Sequence, residues 1–457
     1  MIGHLLRLRL LTFSLVFFIA TSLTYLLLST TEYLFESRGT LRKRYSLEQS
    51  ANSHNQTFQD SASNLVYLEK KLTSESGLGV NPIIPPKSKL DTPKCNTTVS
   101  ILIPGLYAFK AWREYLPFWQ EFMRSAAMVP DSKGVRTLHL QCPRQQCDVN
   151  IRVTMNETFL QSSDAIILNM FPNILKNRLL DLLSHLRNVL HSKLHWFFYA
   201  MESPQMMTYW DSNIGKILYH HSILYHSSAD IRLPYGEYIP GEPTQVGAQD
   251  WTVNKTSVIA WMASNCKNTF WPRNEFVKEL QKHIPIDIYG GCGKLTCLPA
   301  LSEKCTKLMA SYKFYLSLEN TECDEYITEK VWNNGLRQGV VPVVYGGRKE
   351  AYERLLPPKS FIHISDFDST ANLASYLKLL DKNKSMYNLY HAWRQHGRVK
   401  TVYPPLDSSI FCEVVPFVLK PPPAFKVVKD SEYFRVCKNL KGTFAEEGSF
   451  KTFSTWK

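Results

Sequence analysis

Glu202 closes the run His195-Trp196-Phe197-Phe198-Tyr199-Ala200-Met201, an apolar segment that ends abruptly in a carboxylate before Ser203 and Pro204. A carboxylate emerging from an apolar wall is partly desolvated, which raises its pKa and suits it to work as a general base. A strand-end glutamate in a salt bridge fits the same residues. A second group of reactive side chains lies between Tyr312 and Gly347. The loop Glu319-Asn320-Thr321-Glu322-Cys323-Asp324-Glu325 gathers four carboxylates, and Lys330 follows in the first turn of an expected helix capped by Thr328. A helix N-terminus and an ammonium can meet one anion together, which is phosphate chemistry. Most strand–helix–strand units bind nothing, however, and a lysine in a first turn is commonly just solvated. Arg273, behind Trp271-Pro272, offers the planar paired donors that phosphate oxygens accept.

Such groups need strands that end where the loops begin. Phe314, Leu316 and Leu318 alternate with Tyr315 and Ser317, the period of a strand. Gly339 stops the helix expected over Thr328–Gln338, and Val340–Tyr345 reads as the next strand. Further strands are expected at Val99–Ile103, Ala165–Leu168, Leu194–Met201, Ser257–Met262, Pro285–Tyr289 and Phe361–Ile364. Helices are expected over Leu175–Leu190 and Glu275–His283, the latter burying Phe276, Val277 and Leu280. Alternating β and α elements argue parallel sheets with helices on both faces. A junction between two α/β halves is expected near Gly247–Asn254.

The pattern Phe314-Tyr315-Leu316-Ser317-Leu318-Glu319-Asn320, then Tyr326-Ile327-Thr328-Glu329-Lys330-Val331-Trp332, then Val341-Pro342-Val343-Val344-Tyr345-Gly346-Gly347 resembles the donor-binding signature of the α1,3-fucosyltransferases. The likeness continues through Tyr352-Glu353-Arg354, Leu356-Pro357-Pro358 and Phe361 to Phe367. It implies a GT-B type α/β fold, with two Rossmann-like domains facing a cleft, and inverting transfer of L-fucose from GDP-β-L-fucose to O3 of an N-acetylglucosamine in a glycan. It also implies roles. Glu202, in an ESP segment, is the expected catalytic base. Arg273 and Lys330 are expected to contact the donor diphosphate and Glu329 the ribose, with Asn320, Tyr326, Ser264 and Asn265 lining the donor pocket. The stretch from Tyr225 through Asp230-Ile231 to Pro234-Tyr235-Gly236 fits the same family. It departs at Ala229-Asp230, where Ser-Asp is usual, and at His226-Ser227, where basic residues are usual, which leaves the acceptor open. A protein hydroxyl as acceptor, or a catalytically silent glycan-binding relative, are the alternatives; four intact site residues speak against the silent one.

The chain has 457 residues, enough for more than one domain. Residues 10–31 carry no charge and are long enough to cross a bilayer, so a cytoplasmic tail (1–9) and a signal anchor (10–31) are expected. A polar stem follows over 32–94, then an acceptor-side domain (95–250), a GDP-fucose-binding domain (251–400) and a C-terminal segment (401–457). Sequons at Asn55, Asn96, Asn156, Asn254 and Asn383 all follow the anchor and permit a lumenal body. The ten cysteines all lie at or beyond Cys95, without the paired close spacing of a zinc ribbon. Disulfides in an oxidising lumen are therefore expected, with Cys412 and Cys437 tying the tail to the body. Together these point to a single-pass type II Golgi membrane protein, with a homodimer through the stem left open. The net charge of +13 comes without basic runs interleaved with aromatics, which argues against nucleic acid. Asp366-Phe367-Asp368 is a literal DxD but is read as a loop and helix-cap acid, and His220-His221 as surface or core. No metal is needed where two cations neutralise the diphosphate; stimulation by a divalent cation such as Mn is left open.

Overall fold

The computed structural model describes residues 95–102, 135–154, 157–169, 192–243, 249–298, 302–402 and 408–438, with a few isolated positions between them. All lie in the larger of two compact units, Val80–Lys457. The expected anchor, the stem, Asn55, Asn156 and nearly all of the helix expected over Leu175–Leu190 fall outside the described residues. Among the described residues no helix is long and apolar enough to cross a membrane.

A seven-stranded sheet comes first. Its strands are β1 (Cys95–Leu102), β2 (Arg136–Cys142), β3 (Cys147–Thr154), β4 (Ala165–Asn169), β5 (His195–Ala200), β6 (His221–Leu224) and β7 (Ile231–Arg232), in the order β2-β3-β1-β4-β5-β6-β7. Only the edge strand β2 runs antiparallel to its neighbour. Every residue of β5 is buried, the expected outcome for a central parallel strand covered on both faces and the reason its sequence is continuously apolar. Glu202 follows β5 directly, and Ser203 caps the next helix, α1 (Pro204–Trp210), by accepting from the Met206 amide.

The second sheet is parallel throughout. Its strands β8 (Ser257–Met262), β9 (Asp287–Tyr289), β10 (Tyr312–Leu318), β11 (Val341–Tyr345) and β12 (Ile362–His363) lie in the order β9-β8-β10-β11-β12. Counted along the chain this is 2-1-3-4-5, so the order reverses between β8 and β10. Outside the carboxyl ends of those two strands is the crevice where open α/β sheets bind ligands. The following helix α2 (Arg273–Gln281) buries Phe276, Val277 and Leu280 as expected, and Arg273 as well. A two-stranded ribbon, Gly236–Pro240 against Gly397–Thr401, lies beside the sheets. A Cβ at Gly236 would come within 2.4 Å of the Trp332 ring, so only glycine lets the ribbon cross that indole.

Two elements differ from expectation. The helix expected over Thr328–Gln338 is a single turn, Glu329–Trp332, followed by a separate 3-10 turn at Leu336–Gln338. Asn333, Asn334 and Gly335 interrupt it: asparagine competes for the backbone and glycine costs entropy in a helix. A helix dipole therefore adds little beside Lys330. The C-terminal segment returns to the first sheet. Lys426–Val427 pairs with Leu218–Tyr219, and Phe425 stacks on His220 at 4.0 Å. Cys142–Cys412 and Cys323–Cys437 tie it down, and all ten cysteines are paired, the others as Cys95–Cys147, Cys266–Cys292 and Cys297–Cys305.

The Cys323–Cys437 bridge spans 114 residues, so its loss releases a long loop in the unfolded chain. Replacing both cysteines by alanine should lower the unfolding free energy by about 2–5 kcal/mol in guanidinium titrations. An unchanged midpoint at unchanged slope would show that the bridge carries no stability.

Candidate active site

The expected donor residues gather at the switch point of the second sheet. Arg273 opens α2 and is only 2% exposed. Its two terminal nitrogens donate to the carbonyls of Leu318 (3.0 Å), at the end of β10, and Asn265 (2.5 Å), in the loop after β8. One side chain thus pins both loops of the crevice. Its Nε is buried without a partner, and burial lowers its pKa. Trp271 Nε1 donates to the Glu319 carbonyl at 2.8 Å, and the Phe270 amide to the Asn320 carbonyl at 2.8 Å. Ser264 is exposed. The Asn265 side chain closes its own loop on Asn268, and the side-chain oxygen of Asn320 is buried without a partner.

Glu319 is the anchor of the loop after β10. It is fully buried and accepts from the Thr328 amide and hydroxyl at 2.8 Å, with Lys330 Nζ at 3.0 Å. The Thr328 hydroxyl is spent on this carboxylate, so it does not cap the turn that follows. Lys330 also meets Thr328 Oγ1 at 2.8 Å and Glu329 at 3.2 Å. Burial works against its charge, but Glu319 and Glu329 outweigh it and raise the lysine pKa. Gly346 (φ +153°) follows β11; a Cβ there would lie 2.7 Å from the Glu319 Cβ, so the buried carboxylate needs glycine opposite.

Glu202 stands at the carboxyl end of β5, half-buried. Its Oε2 accepts from the Tyr326 hydroxyl at 2.6 Å, and its main-chain oxygen from the Tyr433 hydroxyl at 2.6 Å. Burial raises its pKa above the ordinary glutamate value; the Tyr326 hydroxyl and Lys330 pull it down, and Glu329 and Glu319 push it up. Tyr326 is thus both core and contact: its ring packs on Tyr225 and Tyr235, while its hydroxyl links the loop of the second sheet to the end of the first. Sequence reasoning missed this link, together with Tyr433 in the tail, for which the sequence carries no signal.

The other loop carboxylates each have a donor of their own. Glu322 takes Tyr345 (2.7 Å) and Lys438 (3.2 Å), Asp324 takes Arg348 (2.5 Å), and Glu325 takes Arg354 (2.5 Å) with the amide and hydroxyl of Ser227. Burial works against the Glu325 carboxylate, but His226, Ser227 and Arg354 outweigh it and hold its pKa below the ordinary value. Its backbone sits at φ +55°, a left-handed conformation that these bonds sustain. Asp366 meets Lys349 at 2.5 Å. His220 and His221 are both buried, their pKa values pushed down to about 4 chiefly by burial. Of the sequons, Asn96 and Asn254 are exposed, while the Asn383 side chain caps a helix by accepting from the Met386 amide at 3.1 Å.

Residues 252–433 match the profile of glycosyltransferase family 10 (fucosyltransferase), C-terminal region, a stretch that begins just before β8 and ends at Tyr433. Glu202 lies outside it. The chain is 42% identical over 157 residues to glycoprotein 3-alpha-L-fucosyltransferase A of Drosophila melanogaster, covering 34% of this chain and 31% of that protein. It is 34% identical over 262 residues to the gorilla 4-galactosyl-N-acetylglucosaminide 3-alpha-L-fucosyltransferase FUT5, covering 57% of this chain and 67% of that protein. Coverage of the matching human FUT5 is 53%, so the chain spans about half the length of several curated relatives. A solved structure described as α1,3-fucosyltransferase with GDP-fucose aligns over 73% of this chain and 94% of that one, at 15% identity and a TM-score of 0.42. The chain belongs to the glycosyltransferase family 10 fucosyltransferases.

The Glu319–Lys330 pair makes a direct prediction. Glu319 has 0% side-chain exposure and Lys330 19%. Lys330→Met should destabilise the fold by about 3–5 kcal/mol, because it strands a buried charge. Adding Glu319→Gln should recover part of that loss. Additive losses in chemical denaturation would show that the two side chains are not coupled.

Proposed function

We propose that the chain is an α1,3-fucosyltransferase that moves L-fucose from GDP-β-L-fucose to O3 of an N-acetylglucosamine in a glycoprotein or glycolipid glycan, giving an α-linkage by inversion. The observation that carries this reading is the opposition of two sites. A partly desolvated carboxylate, Glu202, ends the first sheet and is bonded to Tyr326 from the loop that crowns the switch point of the second. A base is useful where a leaving-group site faces it. The names of the matching relatives give the sugar and the linkage.

In the reaction the acceptor hydroxyl gives its proton to Glu202 while its oxygen attacks the fucose anomeric carbon. The bond from that carbon to the diphosphate breaks on the opposite face, and its electron pair leaves with GDP. Lys330 offers its ammonium to the departing diphosphate and Glu329 a carboxylate to the ribose. Ser264, Asn265 and Asn320 border the same crevice. Arg273 holds the two crevice loops together through one carbonyl on each terminal nitrogen, and the N–H groups these bonds leave uncommitted are the donors it would offer to the diphosphate.

The two sheets are read as the facing Rossmann-like halves of a GT-B enzyme, divided near 247–254. The charge-free run at 10–31 and the five disulfides support a type II anchor with the body in an oxidising lumen, as in the Golgi. No metal is assigned a role; the DxD-like Asp366 is held by Lys349.

Incubation with labelled GDP-fucose and a panel of defined glycans and folded protein acceptors tests the assignment. Glu202→Gln should lose at least a hundredfold in kcat while GDP binding by calorimetry stays within a few-fold. Wild-type turnover by that variant, or no saturable GDP binding by the native protein, would contradict the reading.

A further inference from the structure

We propose that Tyr326 is a positioning residue for the base: its hydroxyl fixes one oxygen of Glu202 so that the other, Oε1, receives the acceptor proton. The proposal rests on the fucosyl-transfer reading above, and it departs from the donor-pocket role that the family resemblance implies for this tyrosine.

Three tyrosines from three distant segments converge on one dipeptide. Tyr326 donates to Glu202 Oε2, Tyr433 to the Glu202 carbonyl and Tyr235 to the Met201 carbonyl, each at 2.6 Å. Their rings are all buried, with Tyr225 wedged at 5.2 Å from Tyr326 and 5.8 Å from Tyr433. Tyr433 is held by its neighbour in the chain, since Cys437 is bonded to Cys323 and the Asp324 amide donates to the Val436 carbonyl at 2.9 Å. Loop and tail therefore reach Glu202 as one tied unit. Glu202 Oε1 has no hydrogen-bond partner among the described residues, whereas Oε2 is occupied. A carboxylate held by its backbone and by one oxygen presents the other in a narrow range of directions, which is what proton transfer in flight requires.

The same bond sets the pH at which the base is available. The groups that face Glu202 are Tyr326, Tyr225 and Tyr433, with Lys330, Glu329 and Glu319 across the crevice. Tyr326 and Lys330 favour the carboxylate; burial and the two glutamates disfavour it. Replacing the hydroxyl by hydrogen removes a donor to the charged form, so the Glu202 pKa must rise. The base form is the active one, and the acidic limb of kcat/KM must move to higher pH.

Tyr326→Phe keeps the buried ring. The limb should move up by about one pH unit, a roughly tenfold loss of activity on its acidic side, with the KM for GDP-fucose within about twofold of wild type. Tyr225→Phe is the control. Its hydroxyl is buried without a partner, and its limb should stay in place. A limb that does not move in Tyr326→Phe overturns the proposal, and a raised KM for GDP-fucose at an unmoved limb assigns Tyr326 to the donor instead. Should Tyr326→Phe fail to fold, 3,5-difluorotyrosine at 326, a stronger donor of the same shape, should move the limb down; no movement overturns the proposal equally. Failure of the underlying reading is separate: it shows as undiminished turnover in Glu202→Gln, whatever Tyr326→Phe does.

Discussion

A carboxylate with no exposed surface is the constraint around which the crevice is built. Glu319 follows directly on β10, where water cannot reach it, and an unpaired buried charge would cost several kcal/mol. The chain meets that demand locally. Thr328 gives its amide and hydroxyl, Lys330 its ammonium, and Gly346 yields the volume a side chain would take. These partners come from the turn after the loop and from the end of β11, so satisfying one charge fixes the path of the loop between them. The result is that Lys330 stands charged at the switch point of the second sheet, held by Glu319 and Glu329 rather than by a helix dipole. The bonds that neutralise Glu319 also aim the ammonium.

The fixed loop in turn reaches the first sheet. Tyr326 lies two residues before Thr328 and meets Glu202, while Cys323 of the same loop is bridged to the tail that carries Tyr433. The carboxyl end of β5 is therefore tied to the second sheet by a hydrogen bond and to the tail by another. Arg273 completes the frame by pinning the loops after β8 and β10 through their carbonyls. Glu202, the loop that leads to Lys330 and the tail form one connected polar network.

Much of this was legible in the sequence, because its strongest signals are burial signals. The strand through Phe314, Leu316 and Leu318 was readable from its alternation, although Tyr315 and Ser317 are buried as well, because a central parallel strand is covered on both faces. Glu202 stood out because it interrupts such a run. The order of strands was not legible, nor was the edge hairpin β2–β3, since pairing is decided by contacts distant in sequence. After Lys330 the pattern suggests more helix than forms: Val331, Trp332 and Leu336 keep helical spacing, but Asn333, Asn334 and Gly335 break the helix. The four loop carboxylates looked like one acidic cluster, whereas each is matched to a separate donor that only the tertiary fold supplies. The two carbonyls that Arg273 bonds were not legible for the same reason: nothing in its sequence neighbours indicates them.

In the proposed reaction a single in-line displacement occurs at the fucose anomeric carbon, with Glu202 taking the proton on one face and the diphosphate leaving from the other. The measurement that tests this most directly is the anomeric configuration of the first-formed product, read by proton NMR during transfer from GDP-β-L-fucose. An α-fucoside is predicted. A β-fucoside, the product of retention, would contradict the account, because it would require a step that a base on one side and a leaving group on the other do not provide.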